Sequence, residues 1–118
     1  MASGMRTRSA GGVLHVMLIE VNSEHYDRIV RDCSVDAHRL GSKIDGLLGI
    51  DLYGTGDRTH VLLLSTWADD VAWGKAQWDD DVQKAVVARF TSARCIHSRL
   101  YRRIVLDESM RAAPNASS

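Results

Sequence analysis

The stretch "DGLLGIDLYGTGDRTHVLLLSTW", residues 45–67, decides the fold. Two segments rich in branched and aromatic residues flank Gly54 to Asp57, so they read as antiparallel strands closed by a hairpin loop, with the glycines expected to supply positive backbone dihedrals. The chain before the hairpin reads as one more strand followed by a helix. "VLHVMLIEV", Val13 to Val21, is too short for most helices and rich in branched residues, which favours a strand. Asn22 and Ser23 follow. From Tyr26 the apolar positions Tyr26, Ile29, Val30, Cys33, Ala37, Leu40 and Ile44 recur at threes and fours, predicting a helix that Ser23 can cap and whose last turn Gly41 weakens.

After the hairpin, Asp69 or Asp70 can cap a second helix running to about Phe90, which the acidic run Asp79 to Asp81 is expected to bend or interrupt. "CIHSRLYRRIVL" then reads as a last strand. The order strand, helix, strand, strand, helix, strand predicts an α+β, ferredoxin-like βαββαβ domain with a four-stranded antiparallel sheet. We place it over residues 13–106, with a flexible leader over 1–12 and a disordered tail over 107–118.

The first and third strands are apolar on both faces: Val13, Met17, Ile19 and Val21 against Leu14, Val16 and Leu18, and Val61 and Leu63 against Leu62 and Leu64. A sheet with one wet face would alternate. Two helices cover only one face, so the pattern predicts a homodimer in which a second sheet covers the other.

Composition narrows the partners. Fifteen Lys and Arg balance fifteen Asp and Glu in 118 residues, 45% of them apolar, so no net field recruits nucleic acid or an anionic membrane, and a neutral partner or small molecule fits better. No apolar run approaches a membrane span. Cys33 and Cys95 form no CxxC, and a reducing cytoplasm is the simplest compartment. His25, His38 and His60 show no ligand spacing such as HExxH, so neither a metal nor another cofactor is expected.

Two stretches, "DGLLGIDLY" and "LLLSTWADDVAW", resemble the antibiotic biosynthesis monooxygenase family: the first its Gly-Phe-Leu opening of the second strand, the second its strand ending in Trp, acidic linker and helix aromatic. The resemblance covers roughly residues 12 to 105 and implies a dimeric α+β barrel, with a ligand cavity in each protomer between the sheet and its helices. Trp67 takes the place of the strand-ending Trp, which points into that cavity, and Trp73 that of the helix aromatic. Residues two apart on a strand share a face, so Ser65 and Leu63 follow Trp67. The same alignment brings in Asp51 and Tyr53 from the second strand and His15 and Met17 from the first. Trp78 lies about 140° further round the helix than Trp73, towards a rim or the partner.

The resemblance implies a cofactor-independent monooxygenase acting on a flat aromatic of polyketide or anthrone type. His15 and Asp51 are then the base candidates, Tyr53 and Ser65 hydrogen-bond donors, and Trp67 and Trp73 the ring clamp, with Met17 and Leu63 completing the binding surface. Leu63 stands where cofactor-free oxygenases of the family commonly carry an Asn. Met17, Ala76 and Ala85 stand where haem-degrading relatives carry Asn, Trp and His, which disfavours that branch. Plainer readings stand beside these roles: Trp67 and Trp73 as core aromatics, His15 as a satisfied core histidine, Asp51 as a salt-bridge partner of Arg99 or Arg103, Tyr53 as a rim residue, and Cys33 as inert packing. A polyketide-type cyclase or isomerase, or a non-catalytic dimeric module that binds a small ligand, are the alternatives.

Overall fold

The computed structural model describes residues 12–89 and 92–104. The leader expected over 1–12 and the tail over 107–118 fall, but for Gly12, outside the described residues. Strand β1, Val13–Val21, is the axis of the sheet. It pairs antiparallel with β3, His60–Trp67, on one side and with β4, Ala93–Arg102, on the other. Strand β2, Leu47–Gly54, lies beyond β3, giving the order β2-β3-β1-β4. Both βαβ crossovers therefore skip one strand, as the ferredoxin-like reading requires.

Cross-strand partners share a face. His15 lies opposite Ser65, Met17 opposite Leu63 and Ile19 opposite Val61, and with Val13 and Trp67 they form the face under the helices. Leu14, Val16, Leu18, Leu62 and Leu64 form the other face, half-buried in the single chain. His97, Arg99 and Tyr101 lie opposite Leu18, Val16 and Leu14, which puts these β4 residues on the outward face, a point the sequence had left open. No helix among the described residues is long and apolar enough to cross a membrane.

Helix α1, Tyr26–Gly41, buries Ile29, Cys33 and Leu40 along the expected stripe. Its entry differs from the expectation. Ser23 sits inside a short 3-10 turn, Ser23–His25, and the capping side chain is that of Asn22, which accepts from the Glu24 N–H at 3.4 Å. Gly46 carries the chain from α1 into β2 with φ 83°, and a Cβ there would stand 2.4 Å from the Ala72 Cβ.

The hairpin forms where expected, but Arg58, with φ 63°, takes the left-handed conformation rather than a loop glycine. The Asp57 carboxylate holds the loop by accepting from Thr55 Oγ1 and Thr59 Oγ1, both at 2.7 Å, while Arg58 reaches Asp27 at 2.8 Å and lies over the Tyr26 ring. Gly54 is needed for space: a Cβ on it would lie 1.7 Å from the Tyr26 Oη.

The second helix is two helices, α2 at Asp70–Ala76 and α3 at Asp80–Arg89. The Asp69 carboxylate accepts from the Ala72 N–H at 2.8 Å and starts α2. The Asp79 carboxylate accepts from the N–H groups of Asp81 and Val82, at 2.9 and 3.1 Å, and starts α3. The acidic run is thus a helix start, which is why the helix breaks there. Phe90, its expected end, lies outside the described residues.

Candidate functional site

The buried core is two clusters. Ile19, Val21, Ile29, Cys33 and Val61 fill one end of the sheet, and Val13, Trp67 and Ala76 the other. Between them, under α1, α2 and α3, lies a cavity of about 100 Å³. One water needs roughly 10–15 Å³ on this measure, so there is room for several waters or a small ligand. Most of its wall is apolar.

The sheet supplies the cavity with two buried polar residues, His15 and Ser65, 7% and 5% exposed. Both are paired. Ser65 Oγ accepts from the indole Nε1–H of Trp67 at 2.9 Å, a contact between residues two apart on one strand face. His15 Nε2 lies 2.9 Å from Ser98 Oγ on β4. The His15 ring faces Trp73 on α2, with centroids 5.3 Å apart and planes inclined at 35°. Burial lowers the His15 pKa below its ordinary 6.5, and the charge of His97 lowers it further. The imidazole is therefore neutral at pH 7.

Six of the expected residues, His15, Met17, Leu63, Ser65, Trp67 and Trp73, line this one cavity. Asp51 and Tyr53 do not, and their assignment is corrected. Asp51 lies opposite Leu64 and Tyr53 opposite Leu62, on the outward face, where both are exposed. The cavity positions on β2 belong to Leu47 and Ile50, which are three residues apart. The register shifts between Leu47 and Gly49, so the alternation of faces restarts at the bulge. Counting in twos from Leu47 leads to Asp51 and Tyr53; across the bulge it leads to Ile50. Among the described residues Asp51 forms no ion pair, to Arg99, Arg103 or any other. Trp78 stands off the cavity, 87% exposed.

The helices contribute residues that sequence reasoning missed: Cys33 and Asp36 from α1, Arg89 at the end of α3, and Gln77 in the break. Burial pushes the Cys33 thiol up, opposed by the guanidinium of Arg89 beside it. Arg89 is only 10% exposed, its Nε is buried with no hydrogen-bond partner among the described residues, and its ion pair with Asp36 is long, at 3.9 Å. Among the described residues no three His, Cys, Asp or Glu side chains come together as a metal site.

No family model and no curated protein matches the chain. Solved structures do. A variant of SnoaB, a cofactor-independent oxygenase from Streptomyces nogalater, superposes with TM-score 0.72 at 17% identity over 84% of this chain and 100% of that one. A conserved protein from Methanosarcina mazei gives 0.71 at 13% identity over 84% and 99%. A Chloroflexus aurantiacus protein provisionally assigned to the antibiotic biosynthesis monooxygenases gives 0.66 at 10% identity over 81% and 96%. The chain therefore has the fold of the antibiotic biosynthesis monooxygenase-like proteins. At these identities the likeness is one of fold.

Proposed function

We propose that the protein is a dimeric, cofactor-independent oxygenase acting on a flat aromatic with an acidic C–H or O–H, of phenol or anthrone type. The observation that carries this reading is His15: a buried, neutral imidazole on the wall of an apolar cavity, facing an indole ring. A neutral base in a largely apolar site can take a proton from a weak carbon acid, and the aromatic walls suit the resulting delocalised anion. If Nε2–H donates to Ser98 Oγ, the lone pair on Nδ1 is the one left for the substrate proton.

On this reading His15 removes one proton from an anthrone-type methylene, and the carbanion passes an electron to dioxygen. The radical pair combines to a peroxide, which His15 protonates. Loss of the second C–H proton with cleavage of the O–O bond leaves a ketone and water. The balance is CH₂ plus O₂ to C=O plus H₂O. Trp67 and Trp73 would hold the ring, with Met17, Leu63 and Ser65 beside it.

A second reading, a cyclase or isomerase that uses the same proton transfer without oxygen, is favoured by one observation. The Trp67 Nε1–H is already donated to Ser65 Oγ and Leu63 offers no donor, so of these three strand positions only the Ser65 hydroxyl hydrogen is left for a peroxide oxygen. An oxygen electrode separates the two. Flavin- and metal-free uptake with an anthrone-type substrate is the expected result. Catalysed exchange of the acidic hydrogen with deuterated solvent and no uptake would select the cyclase or isomerase. Ligand binding with neither would leave a binding module.

A further inference from the structure

We propose that Arg89 is an anion-recognising wall of the cavity and that the ligand bears a carboxylate directed at it. This rests on the reading of the cavity as an aromatic-binding site and names the class of aromatic it takes.

The argument starts from charge. A guanidinium is always protonated and carries five N–H donors. Burying one without partners is costly, so a buried arginine is normally paired and hydrogen-bonded. Arg89 interacts with the Cys33 thiol but is neither well paired nor fully bonded. Its Nε is buried without a hydrogen-bond partner among the described residues, and Asp36 stands 3.9 Å from its Nη2, beyond hydrogen-bond reach. Asp36 is also shared, its other oxygen accepting from Arg39 at 3.3 Å. One carboxylate thus serves two guanidinium groups, and its contact with Arg89 is too long for a hydrogen bond.

The surroundings sharpen this. A groove on the outer side, between α1 and α3, shares Asp36, Ala85 and Arg89 with the cavity and adds the opposite charges of Arg31 and Asp32. Among the described residues only Asp36 forms an ion pair with Arg89. Among the described residues, the cavity lining contains no aspartate, glutamate, lysine or arginine apart from Asp36 and Arg89. A carboxylate on the ligand would meet the guanidinium in the geometry that favours two parallel N–H···O bonds. His15 and Arg89 lie on opposite layers of the cavity, sheet and helix. A ligand held by its carboxylate at Arg89 therefore spans the apolar space and presents its ring to His15 and Trp73.

Calorimetric titration of the full chain with 2-naphthoate and its neutral amide, 2-naphthamide, tests this. The two share a ring and nearly a shape. The acid should bind about tenfold to a hundredfold more tightly, the range of a hydrogen-bonded charge pair. Arg89→Gln should abolish that preference while leaving the amide within about threefold. Asp36→Asn, which removes the competing carboxylate, should widen the preference. Equal affinities in the native protein, or a preference that survives Arg89→Gln, would overturn the proposal and leave the aromatic cavity standing. Binding of neither compound would overturn both. Should Arg89→Gln fail to fold by circular dichroism, the native ratio and its change in Asp36→Asn decide: an unchanged or narrowed ratio counts against Arg89.

Discussion

The rings of His15 and Trp73 face each other across the cavity wall at 5.3 Å between centroids, so the base candidate and one clamp residue form a single surface. A ligand stacked on Trp73 lies within reach of the imidazole. The buried environment that lowers the His15 pKa also keeps a lone pair available at neutral pH.

Proton abstraction should therefore be flat with pH above 6.5 and fall only on the acid side of that value. The sign for stability is the same. The folded pKa is depressed, so below 6.5 the unfolded chain takes up a proton that the folded chain refuses, and stability is lost until pH passes the folded value. Denaturant titrations of the native protein and of His15→Gln should diverge below pH 6.5, with the native protein the more acid-sensitive. His15→Ala should lower the turnover rate by about 10²- to 10⁴-fold. An unchanged rate would remove His15 from the base role.

The strand order and the face of β1 and β3 were legible because their alternation runs unbroken from Val13 to Val21 and from Val61 to Trp67. The face of β2 was not, because the irregularity between Leu47 and Gly49 is a property of pairing and leaves only a glycine as its trace in the sequence. The alternation of Ile50 and Leu52 with Asp51 and Tyr53 does carry the right answer once the count starts after Gly49. Arg89 was invisible for another reason. An arginine in the last turn of a helix reads as a solvated residue complementing the helix dipole, and only the packing of α3 on α1 shows that it is enclosed.

Two glycines should resist substitution for different causes. Gly46→Ala places a Cβ on a backbone of φ 83° and 2.4 Å from another Cβ, so both strain and overlap act, at a cost of about 1–3 kcal/mol. Gly54→Ala meets the far end of Tyr26 and should cost about 1–2 kcal/mol. The two are separable by thermal unfolding. Tyr26→Leu removes the phenol and should make Gly54→Ala nearly neutral, while it leaves the cost of Gly46→Ala unchanged.

The outward face carries Leu14, Val16, Leu18, Leu62 and Leu64, with Tyr53 58% and Tyr101 44% exposed at its edges. A second copy covering it would bury about 2,000 Å² or more, the range of obligate interfaces. Sedimentation at micromolar concentration should show a dimer. Leu62→Asp or Leu64→Asp should dissociate or unfold it, because each places a charge at the centre of the apolar strip. A folded native monomer would remove the dimer from the proposed function.

Leu63 is the residue on which the choice between oxygenase and proton-transfer enzyme turns. It lies opposite Met17 on β1 and Leu52 on β2, packs against the core cluster and lines the cavity. Its side chain shares a face with Ser65 and Trp67, so an amide there would look into the cavity beside the ring clamp. Leu63→Asn places that amide among apolar neighbours and should lower stability by about 1–3 kcal/mol in the empty protein. A ligand oxygen would give the amide a partner, so the same ligand should raise the unfolding temperature of Leu63→Asn more than that of the native protein. Oxygen uptake then discriminates. If the native protein exchanges the acidic hydrogen of an anthrone without consuming oxygen and Leu63→Asn consumes it, the scaffold is competent and the side chain at position 63 decides the chemistry. If the variant binds and exchanges but still takes up no oxygen, the missing amide is not what separates this cavity from an oxygenase, and His15 serves a proton transfer alone.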